Sequence, residues 1–406
     1  MHQCPIGVNI PGFIRQLREG NVKEAYEKIR ETNPFPSICG RICSAPCEAA
    51  CVLTEEGAPI GIRALERYSA DFGSSKTKRS MLSSKGKKVA IVGSGPSGLA
   101  AAYALTLKGH SISVFEALDK PGGVLRYGIP EFRLPKKILD EEIAVIKNLG
   151  VEIQTNFFIG ETASLIDLFA QGFSAILLAT GAGIPKFIDL PGTHWGGVYF
   201  GEEFLMRVNL TRPGIFSRHK QDFVLGSKVA VIGSGNTALD CARAAVRFGS
   251  QTTVVFRRTE EEMYVRRDER EFGKEEGIIF EPLVKPLEII ADSNNFVAGL
   301  KCVRMDYADN SESGKWDLIP VPNSEFVLEA DTVIIAIGHK PNSFVSKFDS
   351  NLVLDADGTI QVDEATNLTS VSGIFACGNV VTNAGPVVEA IAAGKKAAEN
   401  ISHYLK

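Results

Sequence analysis

From about Lys87 onward, short β-branched apolar runs alternate with longer stretches of helical periodicity: KVAIVG, SISVFE, AILLAT, KVAVIG, TTVVFR, DTVIIAIG and GIFACG. Apolar runs without polar alternation suit strands covered on both faces, and the helical stretches supply the cover. The pattern therefore predicts an α/β fold of doubly wound parallel sheets. One strand–glycine loop–helix unit occurs twice, at 88–116 and 228–258, which predicts two Rossmann-like dinucleotide-binding domains. Ahead of them, residues 9–70 read as short helices. In GNVKEAYEKIRETNP, Val22, Ala25, Tyr26 and Ile29 form one apolar stripe, Asn21 is the expected cap with Glu24 three residues on, and Pro34 closes the segment. The Ser-, Lys- and Gly-rich stretch DFGSSKTKRSMLSSKGKK then reads as a linker.

The glycine loops carry the first chemistry. Gly93, Gly95 and Gly98 complete G-x-G-x-x-G between a predicted strand and a helix opened by Pro96 and Ser97. The first glycine permits the turn, the second lets backbone N–H groups approach a pyrophosphate, and the third lets helix and strand pack closely. Glu116 ends the next predicted strand, where a carboxylate can accept both hydroxyls of an unphosphorylated adenosine ribose, as in FAD or NAD. The second loop has Gly233 and Gly235, then Asn236 and Thr237, with Ala238 as the third small residue. Its counterpart to Glu116 is Arg257 with Arg258, which favours the 2′-phosphate of NADP(H) over NAD(H), although the same arginines could bind pyrophosphate or form surface ion pairs. Two such sites in one chain suggest a resident flavin and a diffusible nicotinamide.

Composition narrows the field. The 406 residues are 44% hydrophobic and 23% charged, enough for two or three globular domains. A formal charge of -4 creates no field for nucleic acid or an acidic membrane. MHQCPIGVNIPGF lacks a signal peptide's basic start and apolar stretch, and no apolar run reaches membrane-spanning length, so a cytoplasmic protein without a membrane span is expected. Cys4, Cys39, Cys43, Cys47 and Cys51 crowd into the first 51 residues, which argues for metal or redox chemistry rather than a disulfide framework.

The chain resembles the glutamate synthase small-subunit family, including the matching half of dihydropyrimidine dehydrogenase and the large subunit of NADH-dependent ferredoxin:NADP oxidoreductase. The matches are NPFPSICGRICSAPCEAAC, IGIRALERYSAD, VGSGPSGLAAAYAL, KPGGVLRYGIPEFRLPK, LATGA, IGSGNTALD, VVFRRTEEEM, and GIFACGN followed by VVEAIAAGKKAA. The resemblance implies a helical iron–sulfur domain at 1–75, a linker at 76–87, a discontinuous FAD domain at 86–205 and 327–406, and an NAD(P)H domain at 206–326. It adds Gly123, Leu125, Thr180, Gly181, Gly338, Gly378, Asn379 and Val387 to the cofactor-binding residues. Asn379 stands where the family usually has Asp; it can still bond a ribityl hydroxyl.

Carried over residue by residue, the resemblance implies one complete 4Fe-4S ligand set: Cys4, Cys43, Cys47 and Glu66. A second cluster keeps only Cys51, which cannot hold it alone. Three readings stay open: a partner subunit supplies the missing ligands, the second cluster has been dropped, or the cysteines are packing residues without iron. The four cysteines at 39, 43, 47 and 51 could share a helix face, but Pro46 interrupts it. The implied activity is hydride exchange with NAD(P)H through FAD and single-electron exchange with a cluster or a partner subunit, within a hetero-oligomeric complex. No acid–base pair is nominated, because the flavin supplies the chemistry. The alternatives are a glutamate synthase small subunit serving a glutamine-dependent large subunit, or a non-catalytic FAD scaffold.

Overall fold

The computed structural model describes residues 3–54, 57–74, 86–210, 225–310, 315–341, 344 and 348–406; most of the expected linker lies outside them. The chain divides into two compact units. One comprises Met1–Arg126, Glu131–Ile184 and Lys340–Lys406, the other Tyr127–Pro130 and Pro185–His339.

The first unit is built on a parallel five-stranded sheet in the order Ile374–Ala376, Ala175–Leu178, Lys88–Val92, Ser111–Phe115, Glu152–Gln154. The central strand is buried from Val89 to Val92, as a strand covered on both faces must be. The crossover helix Pro96–Leu107 is apolar around its whole circumference because the C-terminal helix Val387–Tyr404 covers its outer side. Gly394 makes that contact possible: a Cβ there would stand 2.1 Å from the Ser97 carbonyl oxygen. A strand and a helix from the chain's far end thus complete a fold begun at Lys88.

The N-terminal helices Ile10–Arg18, Val22–Arg30, Pro36–Ile42, Pro46–Ala49 and Ile62–Gly73 belong to the same unit. Val22–Arg30 buries Ala25, Tyr26 and Ile29 as its stripe predicts. Asn21 precedes it but makes no side-chain cap; its amide turns to Gln16 Oε1 at 3.2 Å instead. Pro46 opens a new helix after a left-handed Ala45 (φ 52°), so Cys39 and Cys47 sit on separate helices.

The second unit has its own parallel sheet, Val198–Phe200, Thr332–Ile335, Lys228–Ile232, Gln251–Val255, Ile279–Glu281. An antiparallel sheet of Val284–Ala291, Val297–Asn310 and Lys315–Glu329 accompanies it. The boundaries expected at 205/206 and 326/327 fall inside this unit, while the crossings that the resemblance places around Thr180–Gly181 and Gly338 stand close to its limits. Thr332–Ile335 pairs with both Lys228–Ile232 and Val198–Phe200, so these strands join the second sheet and the crossings fall at 184/185 and 339/340. Backbone pairing, not the glycine motif, decides which unit a strand joins. No described helix is long and apolar enough to cross a membrane.

Candidate functional site

At the first glycine loop the three glycines differ in what surrounds them. Gly93 has φ 102°, and a Cβ there would lie 2.5 Å from the Ala179 carbonyl oxygen; at Gly98 it would lie 2.0 Å from the Gly93 oxygen. A Cβ built on Gly95 would meet nothing within 4 Å, so its half-buried backbone borders open space at the start of helix Pro96–Leu107. That combination, a helix N-terminus with room where a side chain would be, fits the pyrophosphate of a dinucleotide.

Glu116 follows strand Ser111–Phe115 and is buried. Its carboxylate accepts the Ser94 N–H at 3.0 Å, the Leu118 N–H at 2.9 Å and the Ser94 hydroxyl, while Ser94 Oγ accepts the Gly122 N–H at 3.0 Å. A carboxylate offers about four lone-pair sites, so acceptor capacity remains for a ribose hydroxyl. Other expected residues gather here. A Cβ on Gly123 would stand 2.8 Å from Gly95 Cα, one on Gly378 (φ 75°) 2.7 Å from Ser97 Oγ, and one on Gly93 3.2 Å from Thr180 Cα. Gly181 continues from Thr180 with φ 70°, and Leu125 is fully buried. Asn379 opens a short helix and donates to the Gly385 carbonyl at 3.5 Å; Val387 opens the C-terminal helix.

The second loop repeats the arrangement within its own unit. Gly233 has φ 143° with the Ala336 oxygen 2.2 Å from a Cβ position, Gly235 borders open space, and Asn236 and Thr237 begin helix Asn236–Arg247. Ala238, the third small residue of this loop, is buried. Gly338 (φ 103°) accepts the Lys186 N–H at 2.9 Å. Arg257 and Arg258 are exposed after strand Gln251–Val255. Arg258 Nη1 donates to Tyr264 Oη at 2.8 Å, and a backbone bridge sets Tyr264 beside Gly235. Tyr264 is missed in the sequence because only this bridge brings it to the loop.

The N-terminal segment lines a pocket with Cys4, Cys43, Cys47 and Glu66, together with Cys39 and Asn33, and Val388 joins it from the C-terminal helix. Cys51 does not line it. Burial pushes the Cys43 thiol up to about 12, against the Ala45 N–H that donates to its sulfur at 3.3 Å. Cys47 is pushed to about 11 and Glu66 to about 7, again chiefly by burial, with the Asn33 amide opposing the shift at Glu66. Such a ring of thiols and a carboxyl becomes anionic only beside compensating positive charge. Among the described residues no three His, Cys, Asp or Glu side chains converge as around a single ion. Soft sulfur donors standing apart around one cavity fit an iron–sulfur cluster.

Residues 87–394 match the pyridine nucleotide-disulphide oxidoreductase family. The chain belongs to that family. Residues 1–78 of this oxidoreductase match dihydropyrimidine dehydrogenase domain II, 4Fe-4S cluster. It is 35% identical to the NADP(+)-dependent formate dehydrogenase subunit beta of Moorella thermoacetica, across all of this chain but only 60% of that protein, so it spans about three-fifths of that relative's length. It is 34% identical to the glutamate synthase [NADPH] small chain of Escherichia coli, covering 100% of this chain and 88% of the relative. Among solved structures it is similar in fold to Mycobacterium tuberculosis FprA in complex with NADPH, with TM-score 0.63 and 19% identity over 78% of this chain and 84% of that one. The family match thus covers both glycine loops, and the 4Fe-4S match covers the cysteine-bearing helices ahead of them.

Proposed function

We propose that this oxidoreductase is the electron-transfer subunit of a larger cytoplasmic redox complex, exchanging hydride with NADP(H) and single electrons with a partner subunit. Residues 86–184 and 340–406 would hold FAD through Gly93, Gly95, Glu116, Gly123, Thr180 and Gly378. Residues 185–339 would hold NADP(H) through Gly233, Gly235 and Arg258. Cys4, Cys43, Cys47 and Glu66 would hold one 4Fe-4S cluster; Cys51, outside that pocket, would not. Bound FAD takes two electrons as hydride and releases them singly, and a cluster carries them one at a time. The chain's own residues bind, orient and shield these groups. None of the eight cysteines pairs in a disulfide.

One observation carries the reading. Helix Val387–Tyr404 lines the thiol pocket through Val388 and packs on the glycine-loop helix through Gly394, so one rigid element spans both candidate sites. Anaerobic purification with an ultraviolet–visible spectrum, iron and sulfide analysis, and titration with each nicotinamide tests it. Flavin bands bleached by NADPH, over a broad cluster absorbance, are expected. A flavin that neither nicotinamide bleaches would support the scaffold reading, and full turnover with the physiological acceptor and no partner would defeat the subunit role.

The near-complete span of the glutamate synthase small chain favours a second reading, delivery of electrons to a glutamine-dependent large subunit. NADPH-dependent glutamate formation with such a partner would select it.

A further inference from the structure

The ligand set implied by the resemblance takes Glu66 and leaves out Cys39, although both line the pocket. We infer that Asn33 is the positioning residue that makes Glu66, and not Cys39, the fourth ligand; this rests on the cluster reading above.

Asn33 is completely buried, and its orientation is fixed by the backbone. Its Oδ1 accepts the Phe35 N–H at 2.8 Å. A backbone N–H can only donate, so this end of the amide must be the carbonyl and the other the NH₂ group. Nδ2 therefore faces Glu66 and donates to Oε1 at 2.7 Å. The same Oδ1 accepts the Cys39 S–H at 3.7 Å.

These bonds treat the two rivals oppositely. Cys39 Sγ is tied to the amide oxygen, and helix Pro36–Ile42 holds it there. Cys39 is also only 2% exposed. Glu66, by contrast, has one oxygen fixed by the amide donor, which leaves the other to face one iron. Only an amide does both. Aspartate at this position keeps the acceptor for Phe35 and Cys39 but loses the donor and adds a like charge beside Glu66.

The test uses the full chain, purified anaerobically, with iron, acid-labile sulfide and flavin assays and the EPR spectrum of the reduced protein. Cys39→Ala is expected to leave the iron-to-sulfide ratio and the EPR line shape unchanged. Asn33→Asp is expected to change the line shape and lower iron relative to sulfide, while flavin content stays at the unsubstituted level. A purely structural role would lower yield and flavin together and leave the line shape of any remaining cluster as it was. Adding Glu66→Gln to Asn33→Asp reverses the pair, because the new glutamine amide donates to the new carboxylate and keeps an oxygen for iron; recovery of iron is expected. If Asn33→Asp does not fold, Cys39→Ala and Glu66→Ala decide between the rivals, with cluster kept in the first and depleted in the second. Cluster loss in Cys39→Ala, or an unaltered line shape in Asn33→Asp, overturns the inference and leaves the cluster reading standing. An unsubstituted chain that holds no iron overturns both.

Discussion

Gly95 and Gly98 are three residues apart in one motif, yet they are glycine for different reasons. A methyl at Gly98 collides with the Gly93 carbonyl oxygen, whereas a methyl at Gly95 enters open space where a pyrophosphate belongs. Gly98→Ala should therefore lower thermal stability, by about 1–3 kcal/mol as overpacked sites do. Gly95→Ala should melt normally without ligand but purify with less FAD, checked by differential scanning fluorimetry and flavin content. The spacing of both glycines is legible in the chain, and so is Glu116 at the strand end. The Ser94 and Leu118 bonds that hold its carboxylate are not, because they depend on backbone groups meeting after folding. Glu116→Ala removes the acceptor of those buried donors and should weaken FAD binding roughly ten- to a hundredfold, read by flavin fluorescence on release. At the second loop, Arg258→Ala should lower kcat/KM for NADPH by about tenfold and leave NADH nearly unchanged, since only one coenzyme carries the 2′-phosphate.

Between elements, the second glycine-loop helix is held by charge. Arg243 and Arg247 both bond Glu276 at 2.7 Å, just past helix Arg267–Glu275. Burial raises the Glu276 pKa, but the two guanidinium groups outweigh it and bring the carboxyl down to about 2. A depressed folded-state value stabilises fully above the ordinary glutamate range and is lost as pH falls through about 2. Glu276→Gln should accordingly melt lower than the unsubstituted chain at pH 7, with the gap closing in strong acid, as pH-dependent calorimetry would register. The helix itself follows from its periodicity; its partner across the turn does not. Pro46 shows the reverse case, a local rule strong enough to break a cysteine-bearing helix whatever the tertiary context.

At the scale of the whole molecule, the thiol-bearing helices are joined to the first nucleotide fold through a buried ion pair. Arg30 meets Glu142 at 3.3 Å with both side chains 5% exposed, and Glu142 also accepts the Ser37 N–H at 3.2 Å. Removing one partner strands a buried charge, so Glu142→Ala should destabilise the first unit by about 3–5 kcal/mol in urea unfolding. Replacing both residues with apolar side chains of similar volume should cost far less. Lys395 adds a second tie, donating to the Ile6 carbonyl at 3.1 Å and to that of Thr32.

The strand runs, the duplicated glycine loops and the apolar stripes were determined by the sequence alone, because each rests on interactions within some thirty residues of chain or on a fixed local geometry. What the tertiary structure decided is which distant segments share a sheet and which side chains face one cavity. Thr332–Ile335 joins the second unit through ladder bonds to Lys228–Ile232, and Cys4 and Glu66, more than sixty residues apart, line one pocket. Such pairings follow from backbone satisfaction and the burial of whole faces, quantities that no local spacing encodes.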